Sequence, residues 1–236
     1  MQALLISDLH LSPDRPEITE AFVRFLQQQA TQARSLYILG DLFEAWVGDD
    51  DPSQLALTTK AALKQLAGKN TKIYFQHGNR DFLVGKQFSK QTGVTILPDH
   101  HVVTLSGQKT LLMHGDTLCT DDVEYQRFRK KSRNPLFKFV LRNLPLKKRQ
   151  KIASDWRSKS KMANANKPDN IMDASVTEVE RVMEMHGVSR IIHGHTHRPA
   201  THQHQAGTRI VLGDWTTTGW YVQAENDNIE LIEFQL

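Results

Sequence analysis

Five short clusters carry the side chains from which a paired metal site can be built: Asp8-Leu9-His10, Gly40-Asp41, Gly78-Asn79-Arg80-Asp81, His114-Gly115-Asp116 and Gly194-His195-Thr196-His197. The candidate ligands are Asp8, His10, Asp41, Asn79, His114, His195 and His197. Imidazoles, two carboxylates and one amide oxygen suit Mn, Fe, Co, Ni or Zn better than Ca or Mg. Two such ions ~3.5–4 Å apart can share a bridging carboxylate and a hydroxide, an arrangement suited to attack on phosphorus. Taken singly each cluster is weak. Gly-Asp and Gly-Asn are common turn pairs, and a lone His after an apolar strand is more often a core or surface residue than a ligand. Their joint occurrence, each behind a short apolar run, carries the expectation.

Those runs are the elements that must position the clusters. Ala3–Ser7, Ser35–Leu39, Lys72–Phe75, Thr110–Met113 and Arg190–Ile192 are short, apolar and rich in Leu, Ile, Val and Tyr, so they read as buried strands. Between the first of them lie helical patterns, Glu17–Ala33 and Ser53–Ala67, the second capped by Ser53. A further helix is expected over Ile171–Gly187, started by Asp173 and ended by Gly187. Alternating strands and helices argue for an α/β layered fold, in which ligand sites form beyond the carboxyl ends of strands. The tail, Thr208–Leu212, Gly219–Gln223 and Ile229–Phe234, reads as an antiparallel meander.

A chain of 236 residues fits one domain, 1–236, with an insertion. The insertion is 121–168, helical in pattern, punctuated by Pro135, Pro145 and Pro168, with an apolar patch from Leu136 to Leu146. Residues 121–167 hold fifteen Lys and Arg against four acids, a net +11, which leaves −7 on the rest of the chain. An asymmetry of this size points to an anionic partner. The apolar patch beside the charge favours a lipid substrate and an anionic membrane surface. Nucleic acid is not expected, because no aromatic stacking series accompanies the charges. The N-terminal apolar run is too short for a signal peptide and no stretch approaches a membrane span, so a soluble or peripheral monomer is expected. The single cysteine, Cys119, excludes an intrachain disulfide, suits a reducing cytoplasm and reads as a small buried residue.

The ordered series Asp-x-His, Gly-Asp, Gly-Asn-x-Asp, His and Gly-His-x-His resembles the calcineurin-like metallophosphoesterases over residues 8–197. The resemblance implies two packed β-sheets flanked by helices, with the insertion as a helical lid. It also implies that Asp8, His10, Asp41 and His197 hold one ion and Asp41, Asn79, His114 and His195 a second, with Asp41 bridging. Where that family's third motif usually carries a histidine that assists the leaving group, this sequence has Arg80. An arginine stays protonated, with a pKa above ~12, and cannot serve as a general acid. It can clamp a phosphate oxygen. Losing the acid is tolerable when the leaving group is itself a phosphate monoester, so a pyrophosphate substrate is expected.

Arg80, Asp8-Leu9-His10-Leu11, the basic insertion and His193-Gly194-His195-Thr196-His197-Arg198-Pro199 are together similar to one family, the UDP-2,3-diacylglucosamine pyrophosphohydrolases of bacterial lipid A synthesis. That resemblance implies two manganese ions per subunit and attack at the α-phosphorus, giving UMP and 2,3-diacylglucosamine 1-phosphate. It implies catalytic roles for Asp41, Asn79, Arg80 and His195, and substrate contacts from Asn79, Arg80, Asp122, Ser160, Asn164, Lys167 and His195. It places the protein at the cytoplasmic face of the inner membrane. The competing readings are another phosphodiesterase of the same superfamily, acting on nucleotide-sugars or cyclic nucleotides, and a non-catalytic lipid-binding scaffold.

Other conspicuous residues take plainer readings. His77, His100, His101, His186, His202 and His204 are expected at the surface or in support of the site, and His193 at its strand end. Asp81 and Asp116 are expected to orient ligand imidazoles. Trp46, Trp215 and Trp220 are expected in packing, and Phe43-Glu44-Ala45-Trp46 takes no assigned role.

Overall fold

Ala3-Leu4-Leu5-Ile6 is apolar at every position because it is buried on both faces. In the computed structural model, which describes residues 2–165 and 173–236, this run is strand β1 (Ala3–Ile6). Ala3 and Leu5 face one core, with Tyr37, Leu39, Leu112, Ile192 and Ile210. Leu4 and Ile6 face another, with Phe22, Phe25 and Phe75. Such two-sided burial is what a parallel strand between layers requires.

The chain continues through α1 (Pro16–Gln28), β2 (Ser35–Ile38), α2 (Gln54–Ala67), β3 (Lys72–Phe75), α3 (Lys86–Thr92) and β4 (Thr95–Ile96). It then runs through β5 (His101–Leu105), β6 (Gln108–Leu112), α4 (Val123–Arg133), α5 (Pro135–Arg142), α6 (Leu146–Ala165) and α7 (Val176–His186). The remaining elements are β7 (Arg190–His193), β8 (Ala200–His204), β9 (Gly207–Val211), β10 (Thr218–Glu225) and β11 (Asn228–Gln235). One sheet has the order β11-β10-β1-β2-β3-β4 and the other β5-β6-β7-β9-β8. The parallel strands are β1, β2, β3 and β4 in the first and β6, β7 and β9 in the second. Helices α1 and α2 cover the outer face of the first sheet; α7 covers the second, with Val179, Val182 and Met183 against Leu111, Met113 and Ile191. The molecule is therefore mixed α/β, two packed sheets flanked by helices.

The expected meander is corrected. Strand β9 pairs with β7 and β8 in the second sheet, whereas β10 and β11 form a hairpin that adds to β1 in the first. The chain changes sheets through Gly213-Asp214-Trp215, where the fully buried Trp215 ring packs edge-on to Phe22, Phe25 and Phe234. Two helix limits also move. The first helix ends at Gln28 and is followed by a short 3-10 turn, Ala30–Gln32. Helix α7 starts at Val176, and Asp173 lies before it, accepting from the Ala174 N–H and pairing with Arg198; residues 171 and 172 lie outside the described residues. Ser53 caps α2 as expected, accepting from the Ala56 N–H at 3.3 Å, and Gly187 ends α7 with a φ of +58°.

Helices α4, α5 and α6 fill the stretch between β6 and α7; of their arginines, Arg129, Arg133, Arg149 and Arg157 are buried or half-buried, whereas Arg127 and Arg142 are exposed. The Arg149 side chain is 4 % exposed; it donates to the Val47 carbonyl at 2.7 Å and pairs with Asp50. Arg129 pairs with Asp116 at 2.7 Å and with Asp99 at 2.7 Å, and Arg133 donates to the Gly78 carbonyl at 2.8 Å. Much of the +11 is thus spent on attachment. Lys130, Lys131, Lys147, Lys148, Lys151 and Lys159 remain exposed. The apolar patch divides similarly: Leu141, Phe137 and Leu144 pack on the core, whereas Leu136 and Phe139 are 71 % and 65 % exposed.

Candidate metal centre

The five clusters all follow the carboxyl ends of parallel strands, β1, β2, β3, β6 and β7, and they meet at one edge shared by both sheets. The loops after β1 and β2 are zipped together. Asp8 N–H donates to the Gly40 carbonyl at 3.1 Å, His10 N–H to Asp41 at 3.1 Å and Leu11 N–H to Leu42 at 2.9 Å. From the second sheet, Gly194 N–H reaches the His114 carbonyl at 2.9 Å. Asp8 ties the sheets together, because its Oδ2 accepts from the His195 N–H at 2.9 Å.

Asp8, His10, Asp41, His195 and His197 all have φ between +51° and +69°, five of the eight non-glycine residues with positive φ among those described. The left-handed region costs an L-residue ~1–2 kcal/mol, so its concentration on the candidate ligands marks a site held against local preference. Glycine is needed beside them. Gly40 has φ +90°, and a Cβ there would lie 2.6 Å from the Gly78 nitrogen and 2.7 Å from His114 Nδ1. A Cβ on Gly194 would collide with Asp8 Oδ2 and Ser7 Oγ. Gly194→Ala is accordingly expected to displace the Asp8 carboxylate and lower divalent-metal affinity by ~10–100-fold. Free Mn²⁺ followed by electron paramagnetic resonance during titration reads this directly, and wild-type affinity would show that Asp8 need not sit where it does.

The seven candidate ligands come together in two groups. In one, His10 Nε2 and His197 Nε2 are 3.2 Å apart, and Asp8 Oδ1 lies 3.2 Å from His197 Nε2 and 3.9 Å from His10 Nε2. In the other, Asn79 Oδ1 is 3.0 Å from His114 Nε2 and 3.0 Å from His195 Nδ1, with Asp41 Oδ1 3.8 Å from His114 Nε2. The donor atoms of Asp8, His10 and His197, and those of Asp8, Asp41 and His114, lie within 4.8 Å of one another. Nitrogen and oxygen atoms able to bind a cation thus converge from five loops on one small volume. The residues fit a pair of divalent ions.

The imidazoles divide by their neighbours. Against burial, the Asp41 and Asp8 charges raise His114, and the Asp8 hydrogen bond and charge raise His197, so the carboxylates make the cluster attractive to positive charge. Burial pushes His10 well below its ordinary value, with help from the Arg80 charge, and pushes His195 down to about 3, so both rings offer bare nitrogen lone pairs. Burial also raises the Asp41 carboxyl, against the charges of His114 and Arg80. Burial opposes ionisation of Asp8 too, but the His197 hydrogen bond and the surrounding imidazoles win and hold it below its ordinary value.

The imidazoles are oriented by groups that sequence reading missed. His114 Nδ1 sits 2.8 Å from the Leu39 carbonyl, which leaves Nε2 for the site. His10 Nδ1 faces Glu44 at 3.4 Å and His197 Nδ1 faces Asp214 at 3.6 Å. Both separations exceed a hydrogen bond, but they set a carboxylate on the Nδ1 side of each ring, where it can favour a proton on that nitrogen. Asp81 and Asp116, expected in that role, act elsewhere. Asp81 accepts from the Leu42 N–H and the Gly78 N–H at 2.8 Å each, pinning two loops, and burial with the nearby Asp41 charge pushes it up to about 7. Asp116 accepts from the Tyr125 hydroxyl at 2.7 Å and from Arg129, anchoring α4. Arg80 stands at the cluster, its Nε 3.3 Å from Asp41 Oδ2 and its Nη1 2.7 Å from Glu44 Oε2.

The expected substrate contacts on the insertion are placed only in part. Asp122 is buried and caps α4, accepting from the Tyr125 N–H at 3.1 Å. Ser160 is exposed on α6; Asn164 is on the same helix but its side chain, like the whole of Lys167, lies outside the described residues. Of the other histidines, His77 packs against the Val84 carbonyl at 2.7 Å, and His100 and His186 face each other at 2.9 Å. His193 is wholly buried in β7. Burial pushes the Cys119 thiol up to about 12, as befits an inert core residue.

The model of the family described as calcineurin-like phosphoesterase matches residues 1–199. Full-length relatives are also found. A protein of Azotobacter vinelandii named UDP-2,3-diacylglucosamine hydrolase is 50 % identical over 240 residues, covering 100 % of both chains. A protein of Serratia proteamaculans with the same name is 50 % identical over 238 residues, covering 99 % of each. One of Pseudomonas fluorescens, also so named, is 49 % identical, covering 98 % of this chain and 94 % of its own.

Proposed function

The chain belongs to the calcineurin-like phosphoesterase family, and from that premise we propose that it hydrolyses the pyrophosphate bond of UDP-2,3-diacylglucosamine. Water attacks the α-phosphorus, giving UMP and 2,3-diacylglucosamine 1-phosphate, a step in lipid A synthesis. The observation that carries this reading is the half-identity, end to end, with relatives bearing that substrate in their names. Two features of the chain support it. Arg80 occupies the place of a leaving-group acid, and the insertion joins exposed lysines to exposed Leu136, Phe139 and Val140.

Two manganese ions are the proposed cofactor, the first held by Asp8, His10, Asp41 and His197 and the second by Asp41, Asn79, His114 and His195. When bound, such a pair supplies Lewis acidity and brings the pKa of a water near ~7. The remaining chemistry is the chain's own. Arg80, already held against Asp41, presents its guanidinium to the non-bridging oxygens where charge develops. Asn79 and His195, whose Oδ1 and Nδ1 lie 3.0 Å apart in the same cluster, are the further proposed contacts to the phosphates. The leaving sugar phosphate departs as a stable anion, so no side chain has to protonate it. Asp122, Ser160, Asn164 and Lys167 are the proposed head-group contacts, with α4 to α6 as the lid that shelters the acyl chains.

No described helix is long and apolar enough to cross a membrane. The proposed location is peripheral, on the cytoplasmic face of the inner membrane, where the exposed lysines meet anionic lipid. A monomer and the absence of nucleic acid among its partners complete the proposal. Hydrolysis in ¹⁸O-labelled water by manganese-loaded protein tests the reaction. Label is expected in UMP; label in the lipid phosphate would overturn the α-phosphorus assignment. Equal turnover of a soluble UDP-sugar would remove the lipid from it.

A further inference from the structure

Glu44 lies on the loop beyond β2, outside the ligand set, and three separate parts of the protein converge on it. Its backbone is fixed first: Glu44 N–H donates to the Leu11 carbonyl at 3.0 Å, and Phe43 forms a bridge with Leu11, so the loop bearing Asp41 lies along the loop bearing His10. The side chain is 31 % exposed. Its Oε2 accepts from Arg80 Nη1 at 2.7 Å and stands 3.4 Å from His10 Nδ1. Its Oε1 accepts from Nη2 of Arg157, which comes from α6, 113 residues along the chain.

Each partner has reason to depend on this carboxylate. His10 Nδ1 is buried and, among the described residues, has no hydrogen-bond partner; the Glu44 carboxylate, 3.4 Å away, is an acceptor placed to draw onto Nδ1 the proton that must reside there if Nε2 is to be a lone pair. Arg80 and Arg157 are like charges, and each finds in Glu44 an anion shared with the other. Burial and the Arg80 charge together lower Arg157 from its ordinary value, and the Glu44 charge counters them only in part.

We propose that Glu44 is a positioning residue that couples the insertion to the metal edge, one carboxylate oxygen setting Arg80 and His10 while the other holds Arg157 of α6. It rests on the pyrophosphatase reading only for its kinetic arm. Removal of the carboxylate frees two guanidiniums that repel and a ring whose tautomer is no longer set, so metal affinity and Arg80 placement fall together. A carboxylate serving only to anchor α6 would affect lid attachment alone.

Glu44→Gln, which keeps size and loses charge, separates these accounts when compared with Arg157→Ala, which breaks only the link to α6. Manganese affinity is read by electron paramagnetic resonance and, independently, by the visible absorption of bound Co²⁺; thermal unfolding confirms that both variants fold. Glu44→Gln is expected to weaken metal binding ~10–100-fold and to alter the Co²⁺ spectrum, with kcat falling more than KM rises, while Arg157→Ala leaves metal affinity within about threefold. Glu44→Asp is expected to recover part of the affinity. Wild-type metal affinity and spectrum in Glu44→Gln would overturn the proposal, as would equal loss in Arg157→Ala. Because the metal measurements need no substrate, failure of the wild-type protein to cleave UDP-2,3-diacylglucosamine would count against the proposed reaction and leave this inference standing or falling on its own readings.

Discussion

Replacing Asp41 by Asn is expected to abolish turnover while leaving the protein folded. Asp41 is 1 % exposed, and both of its oxygens are committed. Oδ1 accepts from the Arg80 N–H at 3.0 Å and lies 3.8 Å from His114 Nε2, and Oδ2 lies 3.3 Å from Arg80 Nε. Asparagine matches the shape but offers one weakly basic oxygen and turns an NH₂ toward groups that are already donors. It cannot bridge two cations. Metal-assisted charge stabilisation is worth several kcal/mol, and each ~1.36 kcal/mol is tenfold in rate, so a loss of at least ~10³-fold in kcat is expected. Metal content by plasma mass spectrometry should fall below two ions per chain. A variant retaining two ions, with kcat within tenfold of wild type, would refute the bridging role.

The second large effect is expected at Arg80. Arg80→Ala should raise the barrier by ~2.7–4 kcal/mol, or ~10²–10³ in kcat, as loss of a preorganised electrostatic donor does. The loss should fall mainly on kcat, because the charge it meets grows as the bond to phosphorus forms. Arg80→Lys should restore little, since a point charge cannot span Asp41 and Glu44 as the planar guanidinium does. Steady-state kinetics on the diacylated substrate measure both variants. Turnover by Arg80→Ala within a few-fold of wild type would remove Arg80 from the reaction.

The strands that carry ligands were legible because each runs into a largely buried apolar stretch just before its cluster: Leu4–Ile6, Leu36–Ile38, Ile73–Phe75, Leu111–Leu112 and Ile191–Ile192. Strands that carry none were harder to see. β8 reads Ala-Thr-His-Gln-His at a sheet edge, half exposed, and β4 is only two residues long. The tail misled for another reason: β9, β10 and β11 are consecutive short strands in sequence, and their pairing in two different sheets is set only by folding. The gathering of the seven candidate residues at one edge could be read, since each follows the end of an apolar strand. Glu44 and Asp214 could not, because their importance lies in facing His10 and His197 across loops that meet only after folding. The charge of the insertion was legible and its division was not: arginines turned inward to carbonyls and carboxylates look the same in sequence as lysines left in water.

The ligand groups also straddle the seam between the sheets. Asp8, His10, Asp41 and Asn79 follow strands of the first sheet, and His114, His195 and His197 follow strands of the second. Each proposed ion takes ligands from both, so the cations would act as rivets through a sandwich otherwise joined by Leu5, Leu39, Leu112, Ile192 and their neighbours. Metal binding and resistance to unfolding then become one linked quantity, with ~2.7 kcal/mol added per site at a hundredfold excess of metal over its Kd. The same linkage runs backwards: a packing defect in the seam, out of reach of any ligand, would be felt at the edge as a weakened hold on metal.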